Sequence, residues 1–441
     1  MKHGRPSLTP RLKPLSPRKS AVMSVLDIGT TKVVCLVARL DPVAESDLLR
    51  GRTHRARIIG IGHQRARGLK GGAIVDLEAA EQAIRLAVDA AERMAKVEIR
   101  AAIVTMTGGR LGSESYHADI ALRGQGVGDS DVHRVLEAAS ATGARPGRTV
   151  LHSLPTGFAL DATRGIQDPH GMIGEKLGVD MHVVCCDQNA VRNLMLAVER
   201  CHLDVEAVVA TPYASGLATL VEDEAEMGVV VVDCGGGTTS IGVFSGGHLV
   251  HTDALAVGGN HITMDIARGL STSVAHAERL KTLYGSTIAT ASDERETIAV
   301  ASVDEDDRDA VNHVPKSHLV RIIRPRVEEI LELVRDRLRN AGYGTEAGRR
   351  IVLTGGGAQL TGLPELARTL LAKQVRIGRP LGVQGLPEAA KGPSFAAPVG
   401  LLVYPQVAGL EHFVPRPSAS FLGTGTDGYL SRMGRWIKDS F

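Results

Sequence analysis

The sequence is poor in aromatic side chains and in signals for membrane insertion or disulfide bonding. Phe, Trp and Tyr make up 3% of its 441 residues. It has no run of 18 consecutive apolar residues, so we expect no membrane-spanning helix. The five cysteines include no CxxC pair, which favours free, mostly buried thiols in a reducing cytoplasm. The N-terminus lacks an apolar h-region, which argues against a secretory signal peptide.

The sequence also lacks an excess of charge of either sign and one widespread phosphate-binding motif. The net charge is +2, which gives no argument for nucleic-acid binding, and we expect none. The GxxxxGK(S/T) motif is missing, so the chain is not a P-loop protein. Glycine, in contrast, is abundant at 50 residues. Many short strands and tight turns use glycine in this way, and a chain of this length needs two or more domains.

The order of the predicted elements indicates sheets edged by helices. Residues 1–20 carry prolines and basic residues but no acid, which predicts a disordered basic arm. Apolar runs flank the turn after Asp27, and the same design recurs around Asp233. We therefore expect two hairpins in two similar halves that derive from one duplicated unit. Asp76 and Asp187 are predicted N-caps of helices.

Three glycine-rich turns, far apart in the sequence, each follow a predicted strand. They read Asp27-Ile-Gly-Thr-Thr-Lys, Asp233-Cys-Gly-Gly-Gly-Thr-Thr and Thr354-Gly-Gly-Gly-Ala. Phosphates need backbone N–H donors at close range, which a Cβ would block, and hydroxyls add further hydrogen bonds. Two such hairpins that face each other would hold the β- and γ-phosphates of ATP from both sides. The third turn would pass under the adenine and the α-phosphate, aided by the dipole of the following helix.

The candidate nucleotide-binding residues come from these turns. A single Asp-x-Gly-x-Thr turn is a weak signal, but two of them combined with a strand, a glycine turn and a helix form a strong one. Each acid follows a strand, where its carboxylate would hold Mg²⁺ through water. We therefore expect ATP and Mg²⁺ as cofactors, with Asp27 and Asp233 facing the metal. The predicted nucleotide-binding residues in the turns are Asp27, Gly29, Thr30, Thr31, Lys32, Asp233, Gly235, Gly236, Gly237, Thr238, Thr239, Gly355, Gly356 and Gly357.

The three turns resemble the phosphate-1, phosphate-2 and adenosine motifs of the superfamily of actin, heat-shock chaperones and sugar kinases. Within it, the chain resembles the FtsA family of bacterial cell-division proteins over about residues 21–404 and at its C-terminus. The segments behind this resemblance begin at Gly258-Gly-Asn-His-Ile-Thr, Ala277-Glu-Arg-Leu-Lys, Ile323-Arg-Pro-Arg-Val and Asp168-Pro-His-Gly-Met-Ile-Gly. The resemblance implies an α/β, actin-like two-lobed fold with duplicated mixed sheets, flanking helices and an inserted small α+β subdomain.

The resemblance also implies four subdomains between two flexible or basic ends. The expected ranges are 1–20 for the disordered basic arm, 21–106 and 186–212 for subdomain IA, 107–185 for the inserted subdomain IC, 213–256 and 321–404 for subdomain IIA, 257–320 for subdomain IIB, 405–428 for a flexible linker and 429–441 for an amphipathic membrane-targeting helix.

Family resemblance further implies the partners. Such a protein binds ATP, forms homo-oligomers or filaments at the inner membrane and tethers FtsZ polymers there, while the insertion contributes filament contacts and recruits later divisome proteins. The C-terminal tail of FtsZ would bind subdomain IIB, and Arg321, Arg324 and Arg326 on the following helix could attract an acidic peptide there. The alternative is that these arginines form a solvated or internally paired face. By the same analogy Glu278 and Lys281 would contact the ribose, or they form a simple i,i+3 surface pair.

Thr211 bears on whether the site hydrolyses ATP. Phosphoryl transfer to water needs a group that positions the water. In chaperones and MreB-like filaments a Glu precedes a Pro at the corresponding point, whereas this chain has Thr211 before Pro212. A threonine can align water but is a poor base. We therefore expect nucleotide binding with slow or undetectable turnover, and we assign no catalytic residue beyond a water-positioning role for Thr211.

The last thirteen residues regain a helical pattern after a linker rich in Pro, Gly and Ser. Their apolar members, within an arc of about 140°, are Tyr429, Leu430, Met433, Trp436, Ile437 and Phe441. Charged members opposite them are Arg432, Arg435, Lys438 and Asp439. A helix with one cationic and one aromatic-aliphatic face suits the interface of an anionic membrane. The alternative is that the helix docks into a groove of its own domain or of a partner.

Two other functions remain open on the sequence alone. A pilus-assembly protein of the PilM type shares the fold and the insertion, and a sugar kinase shares the turns. A kinase would need a catalytic Asp in a sugar pocket, and no residue can be assigned to that role. The preferred interpretation is a peripheral protein on the cytoplasmic face of the inner membrane at the division site.

Overall fold

The structure is a computed structural model that describes residues 9–12, 15–16, 18–43, 49, 52–124, 126–142, 145–302, 311–344 and 349–412. The predicted membrane-targeting helix at 429–441 and the predicted linker from residue 413 onward lie outside these residues. Within the described ranges no helix is both long and apolar enough to cross a membrane. The five cysteines are free thiols, as predicted.

Strands and helices alternate along most of the chain. The strands are β1 Ala21–Ile28, β2 Lys32–Pro42, β3 His54–Arg65, β4 Leu69–Lys70, β5 Ala73–Ile74, β6 Ala101–Met106, β7 Gly112–Ala121, β8 Arg148–Leu160, β9 Thr163–Ile166, β10 Lys176–Asp187, β11 Asp204–Ala210, β12 Val229–Cys234, β13 Thr239–Ser245, β14 His248–Leu255, β15 Thr297–Ala301, β16 Val311–Pro315, β17 Arg350–Thr354, β18 Gln374–Ile377 and β19 Val383–Gln384. The helices are α1 Leu77–Ala95, α2 Asp129–Thr142, α3 Gln188–Glu199, α4 Thr211–Thr219, α5 Glu222–Met227, α6 Gly259–Gly269, α7 Val274–Tyr284, α8 Lys316–Asn340, α9 Leu363–Leu371 and α10 Ala396–Val407.

The first sheet has the strand order β11-β6-β1-β2-β3-β19. Its hairpin β1–β2 carries the first glycine turn and pairs Asp27 with Val34. The centre of β2 is buried without interruption from Val33 to Ala38. Such a continuous apolar run is typical of a strand covered on both faces. Helix α1 begins where predicted, because the Asp76 carboxylate accepts the Ala79 amide and so satisfies a free helix N-terminal donor.

The second sheet contains the other two turns and the inserted segment. Its order is β18-β17-β12-β13-β14-β7-β10-β8-β9. The hairpin β12–β13 repeats the design of β1–β2, and β17 runs parallel to β12 beside it. The two hairpins therefore confirm the predicted repetition of this turn design in the two sheets.

The inserted segment adds β7, β8, β9 and β10 to the far side of the second sheet, with α2 packed on them. It joins β14 through a single residue pair, Asp253 with Gly112. Beside this pair, the Thr252 amide donates to the Ser113 hydroxyl oxygen at 2.7 Å. The predicted α/β fold with duplicated mixed sheets and an inserted α+β unit is confirmed.

The described parts of the N-terminal arm differ from the prediction of a disordered extension. Thr9 is 3% exposed, and its hydroxyl donates to the Val150 carbonyl of β8 at 3.0 Å. Leu12 packs against the first hydrophobic core. The Thr9 hydroxyl and the apolar Leu12 side chain thus attach residues 9–12 to the folded body. The basic charge pattern of the arm did not predict these contacts.

The C-terminal boundary of the folded body also lies later than predicted. Helix α10 runs through the buried Pro405 to Val407, and a 3₁₀ turn follows at Ala408–Leu410. Glu411 and His412 still contact β8. Proline usually ends a helix because it lacks an amide donor, which predicts a linker from Pro405 onward. Here Pro405 is buried inside α10, close to the end of the helix at Val407. Asp187, a predicted N-cap, makes no capping hydrogen bond and instead pairs with Arg148 and Arg110.

Gly400 allows α10 and α4 to approach closely. A Cβ at this position would lie 1.8 Å from the Ala214 carbonyl oxygen, so Gly400→Ala must push the two helices apart. We expect a loss of about 2–3 kcal/mol in unfolding free energy, measured as a lower urea midpoint. Gly409→Ala is the matched control, because a Cβ there meets no atom within 4 Å. Equal midpoints for the two variants would contradict this account of the helix pair.

Candidate nucleotide-binding site

The three glycine turns meet around one cavity of about 590 Å³. The first turn comes from β1–β2, the second from β12–β13, and the third follows β17. The predicted site residues in its wall are Asp27, Gly29, Thr30, Thr31, Lys32, Thr211, Asp233, Gly235, Gly236, Thr238, Gly355 and Gly356. Sequence-distant turns are thus brought together, because each one ends a central strand of its sheet.

The first and second turns touch each other directly. A Cβ on Gly236 would lie 2.3 Å from the Thr31 Cγ2 atom, and one on Gly237 would lie 2.5 Å from the Thr30 hydroxyl. A Cβ at either position would force the facing threonine side chain to move, so glycine at both positions allows the close packing of the two turns. The Thr30 hydroxyl also accepts the Gly72 amide at 3.1 Å. Gly237 itself therefore lies behind the cavity wall.

The two predicted metal-facing carboxylates lie side by side and are buried. Asp27 accepts the Thr105 hydroxyl at 2.8 Å, and Asp233 accepts the Ser215 hydroxyl at 2.5 Å. Burial raises the pKa of Asp27, with Lys32 and Thr105 opposing the rise. Burial also raises the pKa of Asp233 to about 6, opposed by the Ser215 hydrogen bond and increased by the charge of Asp27. Two acids that share one buried site favour the binding of a cation between them.

Lys32 supplies positive charge in the same cavity. Its ammonium group donates to the Ser394 carbonyl at 2.5 Å and lies 4.1 Å from the centre of the Phe395 ring. Burial lowers its pKa, while Asp27 and Asp233 act in the opposite direction. A lysine at this place can contact an anionic phosphate as a compact point charge.

The third turn packs against the second. Gly355 has a φ of +81°, and a Cβ there would lie 2.4 Å from the Asp233 Oδ1 atom. Its amide donates to the Pro393 carbonyl at 3.1 Å, and a 3₁₀ turn follows at Gly356–Gln359. Gly357 contacts Cys234 and lies outside the cavity wall. Glycine is required here because no other residue fits both the left-handed backbone and the close approach to Asp233.

Thr211, the predicted water-positioning residue, lies in the cavity wall. It is 6% exposed, begins α4 and faces the cavity. Its hydroxyl shares a hydrogen bond of 2.5 Å with the hydroxyl of Thr107. The next turn of the same helix carries Ser215, whose hydroxyl holds Asp233. Helix α4 therefore connects the two halves of the cavity wall.

Glu278 and Lys281 lie near the cavity without forming its wall. The Lys281 ammonium donates to Glu278 at 2.7 Å, to the Thr263 hydroxyl at 2.8 Å and to the Gly259 carbonyl at 3.1 Å. The pair is therefore tied to the N-terminus of α6, directly behind the second turn. Thr239 is likewise turned away, since its hydroxyl donates to the Val257 carbonyl. The contact of Glu278 and Lys281 with a ribose stays a prediction.

The three arginines considered for an acidic peptide all have acidic neighbours. Arg321 pairs with Glu294 at 3.2 Å, and Arg324 pairs with Glu328 at 2.8 Å. Arg326 holds both carboxylate oxygens of Asp265, at 2.6 and 3.2 Å. The internally paired alternative thus describes their arrangement in this structure. A partner would have to compete with these carboxylates, least easily at Arg326.

Several cavity residues had no signal in the sequence. They come from β3, from the turn between β4 and β5, from the residue after β6, from the 3₁₀ turn after β17, and from residues 387–397 up to the start of α10. They are Ile61, His63, Gly72, Thr107, Gln359, Pro387, Ala389, Ala390, Ser394, Phe395 and Ala397. Most are apolar or small and belong to no motif. Their neighbour Lys32 belongs to the first glycine turn, and it is the residue from which this side of the cavity could be predicted.

The residues present fit a nucleotide with a divalent cation. Gly29, Gly235, Gly236, Gly355 and Gly356 line the wall without a Cβ, and Thr30, Thr31 and Thr238 line it as well. The Lys32 ammonium and the two carboxylates share the same cavity. Among the described residues no group of three or more His, Cys, Asp or Glu side chains could hold a metal on its own. Magnesium would therefore be held mainly by phosphate and water, with Asp27 and Asp233 as its protein-side carboxylates.

Solved structures define the class of this fold. The PilM–PilN type IV pilus biogenesis complex matches with a TM-score of 0.59 at 17% identity, over 87% of this chain and 98% of that one. MreB5 of Spiroplasma citri bound to ADP matches with a TM-score of 0.51 at 14% identity, over 88% and 97% of the chains. At such identities the likeness concerns the fold alone, which is actin-like.

Sequence relatives define the family. A family model described as Cell division protein FtsA matches residues 230–400, and one described as SHS2 domain inserted in FTSA matches residues 108–185. The curated Cell division protein FtsA of Rhizobium meliloti is 56% identical over 98% of both chains. That of Escherichia coli is 32% identical over 94% of this chain and 97% of its own. The chain belongs to the FtsA family of actin-like cell-division proteins.

The raised pKa of Asp233 gives a testable pH dependence. Its ordinary value is 3.8 and its folded value is about 6, so the folded state binds more protons between these values. Stability from this group therefore falls as the pH rises through that window, by roughly 3 kcal/mol in total. We expect nucleotide-free Asp233→Asn to unfold at a higher temperature than the wild type at pH 8, with no advantage near pH 4.

The control for this measurement is Asp187→Asn, which alters an acid at the end of β10 outside the cavity. Its unfolding temperature should follow the wild type across the pH range. Parallel pH profiles for Asp233→Asn and the wild type would contradict the burial of an ionised carboxylate at this position.

Proposed function

We propose that this chain binds ATP with Mg²⁺ between its two hairpins and uses the bound nucleotide as a conformational switch. The proposal depends on one observation: the two glycine turns that follow Asp27 and Asp233 pack against each other and line one cavity together with Lys32. A phosphate chain between them would hold both halves at once. MreB5, which shares the fold, has been solved with ADP and with AMPPNP, and this supports a nucleotide as the occupant.

The switch would act in assembly at the division site. Membership of the FtsA family supports self-association, tethering of FtsZ filaments to the cytoplasmic face of the inner membrane and recruitment of later divisome proteins. In this proposal the inserted segment at 107–185 contributes filament contacts. The FtsZ C-terminal tail binds the subdomain at 257–320 beside helix α8, in which Arg321 and Arg324 are the more exposed of the paired arginines.

Attachment to the membrane would come from the chain end. The pattern of residues 429–441, with basic and aromatic-aliphatic faces, suits the interface of an anionic bilayer. Because the folded body ends at His412 or beyond, the connecting segment available to reach the membrane is shorter than the predicted 405–428. Binding of one such helix is weak, so several copies in a filament would strengthen it.

Turnover of ATP is proposed to be slow. The position that would hold a carboxylate base is Thr211, and its hydroxyl bonds to another hydroxyl, Thr107. The other titratable side chains of the cavity wall have different proposed roles: Asp27 and Asp233 face the metal, Lys32 faces the phosphates, and His63 lies beside Phe395, where burial and the charge of Lys32 lower its pKa. A kinase or a PilM-type role finds less support, because the family match covers almost the whole chain.

Nucleotide affinity should depend on both carboxylates. We expect Asp27→Asn and Asp233→Asn each to weaken binding of a fluorescent ATP analogue by at least about tenfold in the presence of Mg²⁺, because each removes a negative charge facing the metal. Titration by fluorescence anisotropy measures the effect. The same titration in EDTA should show little difference between the variants and the wild type.

The matched control for nucleotide binding is again Asp187→Asn, an acid at a strand end away from the cavity. Wild-type affinity in this variant is required by the proposal. Wild-type affinity in both cavity variants would show that nucleotide, if bound, does not use these carboxylates.

Membrane attachment should depend on the last thirteen residues. We expect the full chain to pellet with vesicles that contain anionic lipid and to carry FtsZ polymers into the pellet, whereas a chain that ends at residue 428 stays in the supernatant with FtsZ. Replacing Trp436 and Ile437 by Asp in the full chain is the finer variant, since it keeps the length. Undiminished pelleting of both variants would refute this part of the proposal.

A further inference from the structure

The end of the described chain docks into the body through a buried acid. Glu411, just after the last 3₁₀ turn, has no exposed side-chain surface. Its Oε1 atom lies 2.9 Å from Nδ1 of His152, which is also fully buried. The next residue, His412, donates its amide to the Ser153 carbonyl of β8 at 2.9 Å. We name Glu411, His412, His152 and Ser153 the C-terminal anchor.

The anchor continues into the nucleotide site through the other nitrogen of His152. Its Nε2 atom accepts the backbone amide of Ala210 at 2.9 Å. A nitrogen that accepts carries no proton, so the proton of this imidazole is on Nδ1 and is donated to Glu411. The hydrogen bonds therefore run in one direction, from the Ala210 amide through His152 to the Glu411 carboxylate.

Ala210 connects these hydrogen bonds to the cavity, because it directly precedes helix α4. It is the N-cap of α4 and has no side chain that could cap the helix. Alanine is a poor N-cap, and the free amides of a helix start need partners. His152 supplies one from another strand. The next residue is Thr211 in the cavity wall, and Ser215 of the same helix holds Asp233.

Aromatic packing ties the same elements together. The His152 ring lies edge-on to Tyr213 of α4, at 4.9 Å between ring centres, and to Tyr404 of α10, at 5.7 Å. Burial raises the pKa of both phenols, and the nearby Glu411 adds to the rise. Helix α10 itself begins at the cavity, where Ala397 forms part of the wall. Both helices thus connect the cavity with the anchor.

We infer that Glu411 and His152 are positioning residues for the nucleotide site: they hold the start of α4, and they couple the root of the C-terminal segment to the nucleotide state. This inference rests on the proposed binding of nucleotide in the cavity. A nucleotide that fixes Thr211 and Asp233 fixes α4, and a fixed α4 keeps His152 in place for Glu411. Coupling between two sites is reciprocal, so a docked Glu411 must also favour the nucleotide.

Hydrogen exchange of two backbone amides in the full chain tests the inference in the wild type. The amide of Ala210 donates to His152, and the amide of His412 donates to Ser153. We expect saturating Mg²⁺ and AMPPNP to slow the exchange of both amides in parallel, by roughly threefold or more. Binding of AMPPNP without any change at His412 would overturn the coupling. An absence of AMPPNP binding would instead defeat the proposed function on which it rests.

Variants of Glu411 test the direction from the anchor to the cavity. We expect Glu411→Ala to speed the exchange of the Ala210 amide about tenfold without nucleotide and to weaken AMPPNP binding about three- to tenfold. Glu411→Gln should restore most of both properties, because its amide oxygen still accepts from Nδ1 of His152. A residue that only fills space near the terminus would lower the stability of Glu411→Ala without changing the exchange of the Ala210 amide or the AMPPNP affinity.

The control variant is Glu365→Ala, which removes an exposed acid of α9 that pairs with Arg368. It should leave both amides and the AMPPNP affinity unchanged. Unchanged Ala210 exchange and affinity in a folded Glu411→Ala protein would overturn the inference, as would equal values for Glu411→Ala and Glu411→Gln. If Glu411→Ala does not fold, the wild-type exchange experiment and the glutamine variant still decide the matter.

Discussion

The close approach of two glycine turns is the contact on which the rest of this structure depends. Gly236 and Gly237 of one hairpin lie against Thr31 and Thr30 of the other, at distances that leave no room for a Cβ. Each turn connects two interior strands of its own sheet, so this contact fixes how the two hairpins lie against each other. A cavity beside the two turns results, and the apolar residues Ile28, Ala390 and Phe395 of its wall belong to one hydrophobic core.

The charged side chains of the cavity favour a ligand that carries both a cation and an anion. Two buried carboxylates, Asp27 and Asp233, share the cavity with one buried ammonium, Lys32. Burial raises the pKa of both acids and lowers the pKa of the lysine, so it favours the neutral form of each group. Such a site is least costly when a cation faces the acids and an anion faces the lysine. A magnesium-bound phosphate chain provides both charges at once. Thr211 adds a hydroxyl but no base, which fits a site that holds its ligand longer than it transforms it.

Much of this arrangement could be predicted from the sequence, for physical reasons that differ between elements. The hairpins at Asp27 and Asp233 were predictable, because apolar strands, glycine turns and hydroxyls lie close together in the chain. The cavity wall around Ser394 and Phe395 was not, because it depends on packing between distant segments. The same holds for the anchor: nothing near Glu411 in the sequence indicates that His152, in a strand far away, would bury its carboxylate. Local patterns report turns, whereas buried pairs between distant segments appear only in the folded chain.

The most direct test of the account is a crystal structure of the full chain with Mg²⁺ and AMPPNP. The account predicts β- and γ-phosphates between the turns at Thr30–Thr31 and Gly235–Gly237, with the metal within one water molecule of both Asp27 and Asp233. It also predicts adenosine on the side of Gly355 and Gly356. Phosphates that contact only one of the two hairpins, or a nucleotide bound outside this cavity, would contradict it.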